Sequence, residues 1–448
     1  MTNPECIPPV PAALAARLNE LAHLHAVAGV AVTVVREGEA IGFWGAGYAS
    51  LPFRVTVTER TLFHLGSVGK HITALAVLQL VDAGSVALDA AVGNYVEGLP
   101  AAWAAIPVRC LLTHTSGLPD YGRVIRDWDR PQGRELILDA VGTLPPLFAP
   151  DQAWSYSNTN YVVLGWLIEA VSGQPYADYL RDRVLGPAGL TSARVDSAED
   201  VILDRAEPYE YVDGRFVHAV RLERSVSAAA DGGVLFSARD IASWSAALAG
   251  ERLVSRTLMA RATTGALLTS GRQVPYGFGW FVECTAGHPM QRHAGRVPGF
   301  GAFLMHLAGP GLWVAVMADS TPSPPLLLMA LTAAEAFSPG STFLSLPPAG
   351  DGRDPRTLRA RELLERGGGA PLNPEWFAPE MQVLLRSGGE GFQASLPGRL
   401  PPLDRVEPIE SYPVAGGTMV RYRAALGGHV AHYLFGWTED DRIFWSTS

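Results

Sequence analysis

The stretch HLGSVGKHITA, residues 64–74, decides how this chain is read. Lys70 is its only lysine, although Lys and Arg together number 35 in 448 residues. Arginine keeps its proton at any accessible pH, whereas a lysine amine can lose it once its pKa falls. A single lysine among arginines therefore marks a position where positive charge alone is not enough. The spacing predicts a helix over 67–83, with Ser67 opening it and Lys70 one turn later on the same face. Apolar neighbours and the helix N-terminal dipole both disfavour the ammonium there. An adjacent base is what a serine needs to become a nucleophile. Serine is also a common helix cap, so S-x-x-K gains its meaning only from what else the chain carries.

Working outward, the composition belongs to a compact, core-forming protein: 48% hydrophobic and 18% charged, with a net charge of −9. No cluster of basic residues suggests nucleic acid. The densest stretch, RTLRARELLER (356–366), interleaves Glu with Arg and reads as a solvated helix face. The cysteines, Cys6, Cys110 and Cys284, lie far apart without a CxxC pair, which argues against a disulfide framework and a zinc knuckle. H-E-x-x-H and related zinc-hydrolase patterns are absent, so neither a metal nor another cofactor is expected. No basic n-region with an apolar h-region opens the sequence, and no apolar run reaches the length of a membrane span. These features predict a soluble, cytoplasmic protein.

Leu14, Leu18, Leu21 and Leu24 recur at helical spacing in 11–25. VAGVAVTVVREGEAIGFWGAGYAS then alternates about a turn at 37–39, a hairpin signal. Helices are expected near 134–142, 159–172, 176–184 and 238–249. From 274 to 320 the pattern returns to strands: YGFGWFVE, GFGAFLMHLA and LWVAVMAD, followed by an apolar helix around 323–337. Strands at both ends of a long helical stretch predict one antiparallel sheet, an α/β (α+β) arrangement flanked by helices with a large helical insertion. Pro, Gly and Ser crowd 338–355 as in a linker. Beyond a short helix, MQVLLRS, GFQASLP, TMVRYRA, HVAHYLFGWT and RIFWSTS predict a small all-β unit, barrel or sandwich. The expected division is a domain over 1–340, a linker over 341–355 and a C-terminal β-rich domain over 356–448. The glycine clusters at 367–369 and 388–391 lack the strand-to-helix context of a phosphate loop.

Two more stretches complete the site. PDQAWSYSNTNYVVLGWLIEAVSG (150–173) places Tyr156-Ser157-Asn158 just before an apolar helix, and QRHAGRVPGFGAF (291–303) places His293-Ala294-Gly295 on a strand. Individually, Tyr156 could be a packed aromatic, Asn158 a cap and His293 structural. In the order S-x-x-K, Y-x-N, H-x-G, the three resemble the penicillin-recognising serine hydrolases: class C β-lactamases, D-aminopeptidases, carboxypeptidases and esterases. TLFHLGSVGKHITALAVLQLV, VRCLLTHTSGLPDY, AADGGVLFSARDIASW and YGFGWFV extend the resemblance over roughly residues 12–338.

The resemblance implies a β-lactamase-like fold with Ser67 acylated, Lys70 taking its proton and Tyr156 relaying it. Asn158 would orient Lys70 and the substrate amide. His293 would stand where the family often has lysine, Gly295 would let substrate lie along the strand, and the Ser67 and Arg296 N–H groups would form the oxyanion hole. His64 and His71 flank the site, and His114 is expected to pack or bond a loop. Histidine is only partly charged near neutrality, and ADSTPSPPLL (318–327) offers no Arg or Asn. The H-x-G form resembles D-aminopeptidases, amidases and esterases more than β-lactamases. The expected substrate is a small molecule or short peptide cleaved at an amide or ester, with D-aminopeptidase-like or D-amino-acid amidase-like cleavage of a D-amino-acid-containing peptide, or esterase activity, the leading expectation. A class C-like β-lactamase, a DD-carboxypeptidase or a sensor acylated without turnover are the alternatives.

Overall fold

In the computed structural model, residues 6–447 are described except 126–132, 198, 221–229, 351, 367–371, 387–402 and 427–428. Three strands near the N-terminus, Gly29–Arg36, Glu39–Ser50 and Val55–Thr56, join four from beyond the insertion. These are Phe281–Thr285, His288–Val297, Phe300–Leu307 and Leu312–Ala318, and together they form a seven-stranded sheet. The two ends of the chain meet where Gly29–Arg36 pairs antiparallel with Leu312–Ala318, Val30 opposite Ala318.

Both faces of that sheet are covered, which is why its central strands are apolar almost without interruption. Val30, Val32 and Val34 pack with Leu14 and Leu18 of the Ala12–His23 helix and Met329 of the Leu326–Phe337 helix. Ala31 and Val35 point the other way, into the core that holds the helices Lys70–Asp82, Asn158–Ser172 and Ala238–Ala249. The insertion is less purely helical than expected. Val234–Phe236 pairs with Phe63–His64 and Arg194–Val195, and Tyr209–Val212 with Arg215–His218. Strands of two to four residues are too short to show a period. The helix expected over 176–184 is an α-turn, Tyr176–Tyr179, continued by a π-helical stretch, Leu180–Leu185.

In the C-terminal part, Leu403–Val414, Gly417–Leu426, His429–Trp437 and Ile443–Thr447 form an antiparallel four-stranded sheet. MQVLLRS does not belong to it. Pro379–Arg386 is a helix that buries Met381 and Leu384, three residues apart on one face. A proline and a glutamate in its first turn favour that start, and in so short an apolar run they outweigh apparent alternation. GFQASLP and both glycine clusters lie outside the described residues. Residues 341–343 are buried against the body: Phe343 N–H donates to Thr285 Oγ1 at 2.8 Å. Among the described residues, no helix is long and apolar enough to cross a membrane.

Candidate active site

Ser67, expected to open a helix over 67–83, lies instead in a 3-10 turn Gly66–Gly69 that runs into the α-helix Lys70–Asp82. A three-residue repeat eclipses positions i and i+3, so Lys70 Nζ comes to 2.9 Å from Ser67 Oγ. The same Nζ lies 2.8 Å from Asn158 Oδ1 and 2.6 Å from the backbone carbonyl of Asp231. Asn158 is held in that orientation because its Nδ2 faces Asp120 Oδ2 at 3.4 Å. Two of the three contacts are to carbonyl oxygens, which only accept. A neutral amine has two N–H bonds to give them and one lone pair left, directed at Ser67. Burial lowers the Lys70 pKa to about 8, against the opposing pull of Asp231 and Asp120.

The second turn is fastened to the loop 112–121. Ser157 Oγ and Thr159 Oγ1 donate to the Pro119 carbonyl at 3.2 and 2.6 Å, and Tyr121 N–H donates to Thr159 Oγ1 at 3.0 Å. His114, left-handed at φ 61°, accepts on Nδ1 from Ser157 N–H at 3.3 Å and lies 2.9 Å from Asn160 Nδ2. Its ring packs on Tyr156 with centroids 4.3 Å apart, the loop-bonding role expected for it. Lys70 Nζ stands 5.0 Å from the Tyr156 ring centre. The Tyr156 hydroxyl is buried and completes no hydrogen bond among the described residues. Burial raises its pKa well above the ordinary tyrosine value, and the facing Ser67 side chain offsets only part of that rise. Of the two, Lys70 is the group whose pKa lies nearer neutrality.

The His288–Val297 strand approaches the turn that carries Ser67 through glycines. A Cβ on Gly295 would lie 1.9 Å from the Leu65 carbonyl oxygen and 3.1 Å from Ser67 N. One on Gly66, at φ +52°, would lie 2.8 Å from Arg296 N. Gly295 is therefore required first by the chain's own packing, and the contact brings the strand backbone at Arg296 close to the turn that carries Ser67. His293 is buried, and burial followed by Lys70 lowers its pKa well below the usual value. Its Nδ1 lies 2.7 Å from the Ala294 carbonyl and so carries the proton, leaving Nε2 to accept from the Tyr276 hydroxyl at 3.0 Å. In this state His293 is neutral with both nitrogens engaged. Arg296 is exposed and makes no ion pair among the described residues.

A cavity of about 260 Å³ opens beside Ser67, Asn158 and Arg296, with Asp120, Asp196 and Asp231 in its wall. Asp231, which accepts from Tyr121 O–H at 2.8 Å on its side chain, escaped the sequence reading. Its contact with Lys70 is through a backbone carbonyl, which any residue supplies. Asp120 and Tyr276 lie within SGLPDY and YGFGWF, stretches legible as motif-like without showing which member faces the site. His64 lies in the cavity wall and His71 behind it; burial takes their pKa values to about 4 and 3. Their ring nitrogens accept from Gly66 N–H at 3.1 Å and Trp244 Nε1–H at 2.8 Å.

The chain is similar to several known proteins. Penicillin-binding protein 4* of Bacillus subtilis (strain 168) is 28% identical over 295 residues, 61% of this chain and 64% of its own length. A D-aminopeptidase of Gluconobacter oxydans (strain 621H) is 28% identical over 298 residues, 64% of this chain and 55% of its own. The chain thus spans less than two thirds of the length of these curated relatives. Among solved structures, the D-amino acid amidase from Ochrobactrum anthropi SV3 matches with TM-score 0.63 and 25% identity over 72% of this chain and 97% of that one. The octameric penicillin-binding protein homologue from Pyrococcus abyssi matches with TM-score 0.65 and 22% identity over 96% and 94%, so its fold extends through the C-terminal sheet. Residues 14–336 match the family described as Beta-lactamase. The chain belongs to the beta-lactamase family of serine hydrolases.

Proposed function

We propose that this protein hydrolyses a small amide, peptide or ester through an acyl-enzyme on Ser67, with amides of D-amino acids the foremost substrate class. The observation that carries the reading is Lys70 Nζ, 2.9 Å from Ser67 Oγ with two carbonyls placed to take its N–H bonds. Ser67 Oγ attacks the substrate carbonyl carbon as its proton passes to Lys70. The oxyanion forms between the Ser67 and Arg296 N–H groups, donors that typically lower such a barrier by about 3 kcal/mol. As the C–N or C–O bond breaks, the proton reaches the leaving group through Tyr156. Water then cleaves the ester by the reverse relay.

The cavity wall favours an amine-bearing substrate. Asp120 and Asp231 stand on the side of Asn158, where a free ammonium next to the scissile carbonyl would find negative charge. The D-aminopeptidase and D-amino acid amidase relatives support the same reading. A β-lactamase or carboxypeptidase would need a cation for the substrate carboxylate, and neutral His293 does not supply one, which leaves Arg296. Labelling with a fluorophosphonate, then turnover of D- and L-aminoacyl p-nitroanilides, p-nitrophenyl esters and a chromogenic β-lactam, tests these readings. D-selective anilide turnover is expected. Labelling at Ser67 without turnover of any substrate would favour the acylated sensor, and no labelling would end the hydrolase reading.

A further inference from the structure

The Tyr156 hydroxyl faces Ser67 and completes no hydrogen bond among the described residues, so the ring is held chiefly by its packing. His114 lies 4.3 Å away, and Lys70 Nζ stands 5.0 Å from the ring centre. Trp154 packs beside both rings, 6.4 Å from Tyr156 and 6.1 Å from His114 between centroids, and its buried indole N–H completes no hydrogen bond among the described residues. Trp154 in turn meets Trp445, at 4.5 Å, on the last strand of the C-terminal sheet. Trp445 is buried, and it also contacts Phe281, 6.3 Å away, which packs on His293 at 5.4 Å. Neither tryptophan lines the cavity beside Ser67.

The support behind Trp445 is fixed to the body of the protein. Arg272 Nη1 donates to both oxygens of Glu380 at 2.9 Å. Arg421 Nη2 reaches the buried Glu283 at 3.1 Å, and Ala286 N–H donates to Glu410 at 2.9 Å.

We propose that Trp445 is a positioning residue for the reaction: through Trp154 it holds the Tyr156 ring beside Lys70 and Ser67. The C-terminal sheet then completes a site whose reacting groups all lie outside it. This rests on the reading of Ser67 and Tyr156 as parts of a hydrolytic site. Removing the indole frees Trp154 to move into the space, and Tyr156 loses the surface that sets its distance to Ser67. Displacements of about 1 Å at a reacting group cost up to about 100-fold in rate. Substrate binding should be spared, because the indoles do not reach the cavity.

The test compares full-length Trp445→Ala, Trp445→Phe, Trp154→Phe and Phe435→Leu with the wild type. Phe435 lies in the core of the same C-terminal sheet, with Tyr422 and Trp437 rather than with the Trp154 cluster. The readouts are Tm, the rate of fluorophosphonate labelling, and kcat and KM on the best wild-type substrate. For Trp445→Ala, kcat should fall about 10- to 100-fold with KM within about twofold. Trp445→Phe should recover most of that loss, Trp154→Phe should lower kcat from the other side of the contact, and Phe435→Leu should lower Tm while keeping kcat. Where Trp445→Ala does not fold, Trp154→Phe against Phe435→Leu decides. Unchanged kcat in the Trp154 and Trp445 variants, or losses that track Tm as in Phe435→Leu, would overturn the positioning role alone. A wild type that is not labelled at Ser67 would remove the hydrolytic reading and this role with it.

Discussion

Lys70 holds its place by the count of its hydrogen bonds as much as by its charge. Two carbonyl acceptors and one serine hydroxyl match a neutral amine, and a guanidinium fits none of that arrangement. Lys70→Arg should therefore lower Ser67 acylation by about 10²–10⁴, the usual worth of an acid–base group, as read by fluorophosphonate labelling. Near-wild-type labelling would show that charge alone suffices. The pH dependence follows from the lowered pKa: below about 8 Lys70 carries a proton and cannot accept one from Ser67. The kcat/KM profile should rise through pH 8 on its acidic side, since this parameter reports the free enzyme. A limb in the usual histidine range would assign the base elsewhere. At this scale the sequence was informative wherever chemistry needs a particular side chain. It was silent on Asp231, because a carbonyl carries no side-chain signature, and on the partner of His293 Nε2, a tyrosine 17 residues away.

The elements that matter most are the 3-10 turn and the strand that leans on it. The sequence placed Ser67 on a helix, a good approximation, because helix and 3-10 turn share the i to i+3 neighbourhood. What it could not show is that the strand's approach shapes the turn, since the contact joins residues more than two hundred positions apart. Gly295→Ala puts a methyl 1.9 Å from the Leu65 carbonyl, and backbone on both sides has little room to yield. The strand must move away from Ser67, separating the two oxyanion N–H groups. The expected result is a loss of at least about 10²-fold in kcat, in line with removal of one oxyanion donor, with a lowered Tm. Retained kcat in Gly295→Ala would mean that the two N–H groups do not act together.

For the molecule as a whole, the decisive contact is between the C-terminal sheet and the edge of the large sheet. The β character of the tail was legible in its alternation, but its attachment was not: Glu283, Arg292, Glu410 and Arg421 look in sequence like ordinary surface charges. In the structure Arg421 is shared by Glu410 at 2.6 Å and Glu283 at 3.1 Å, while Arg292 holds the other Glu283 oxygen at 2.6 Å. All four side chains are at most 10% exposed. Burial pushes the Glu283 pKa up, but Arg292 and Arg421 more than offset this and hold it below its ordinary value. Its contribution is therefore present above the unfolded-state pKa, about 4.3, and is lost as pH falls through the lower folded value. Arg421→Met leaves two carboxylates in the interface without their shared cation, a change that typically costs about 3–5 kcal/mol when a buried pair is broken. Thermal melts at pH 7 and in the acid range should show a much lower Tm for the variant at pH 7 and a smaller further drop on acidification. The second difference arises because Glu283, relieved of one arginine, no longer favours its charged form so strongly. A variant that melts with the wild type at pH 7 would show that apolar contact alone, Trp445 against Trp154 included, secures the tail.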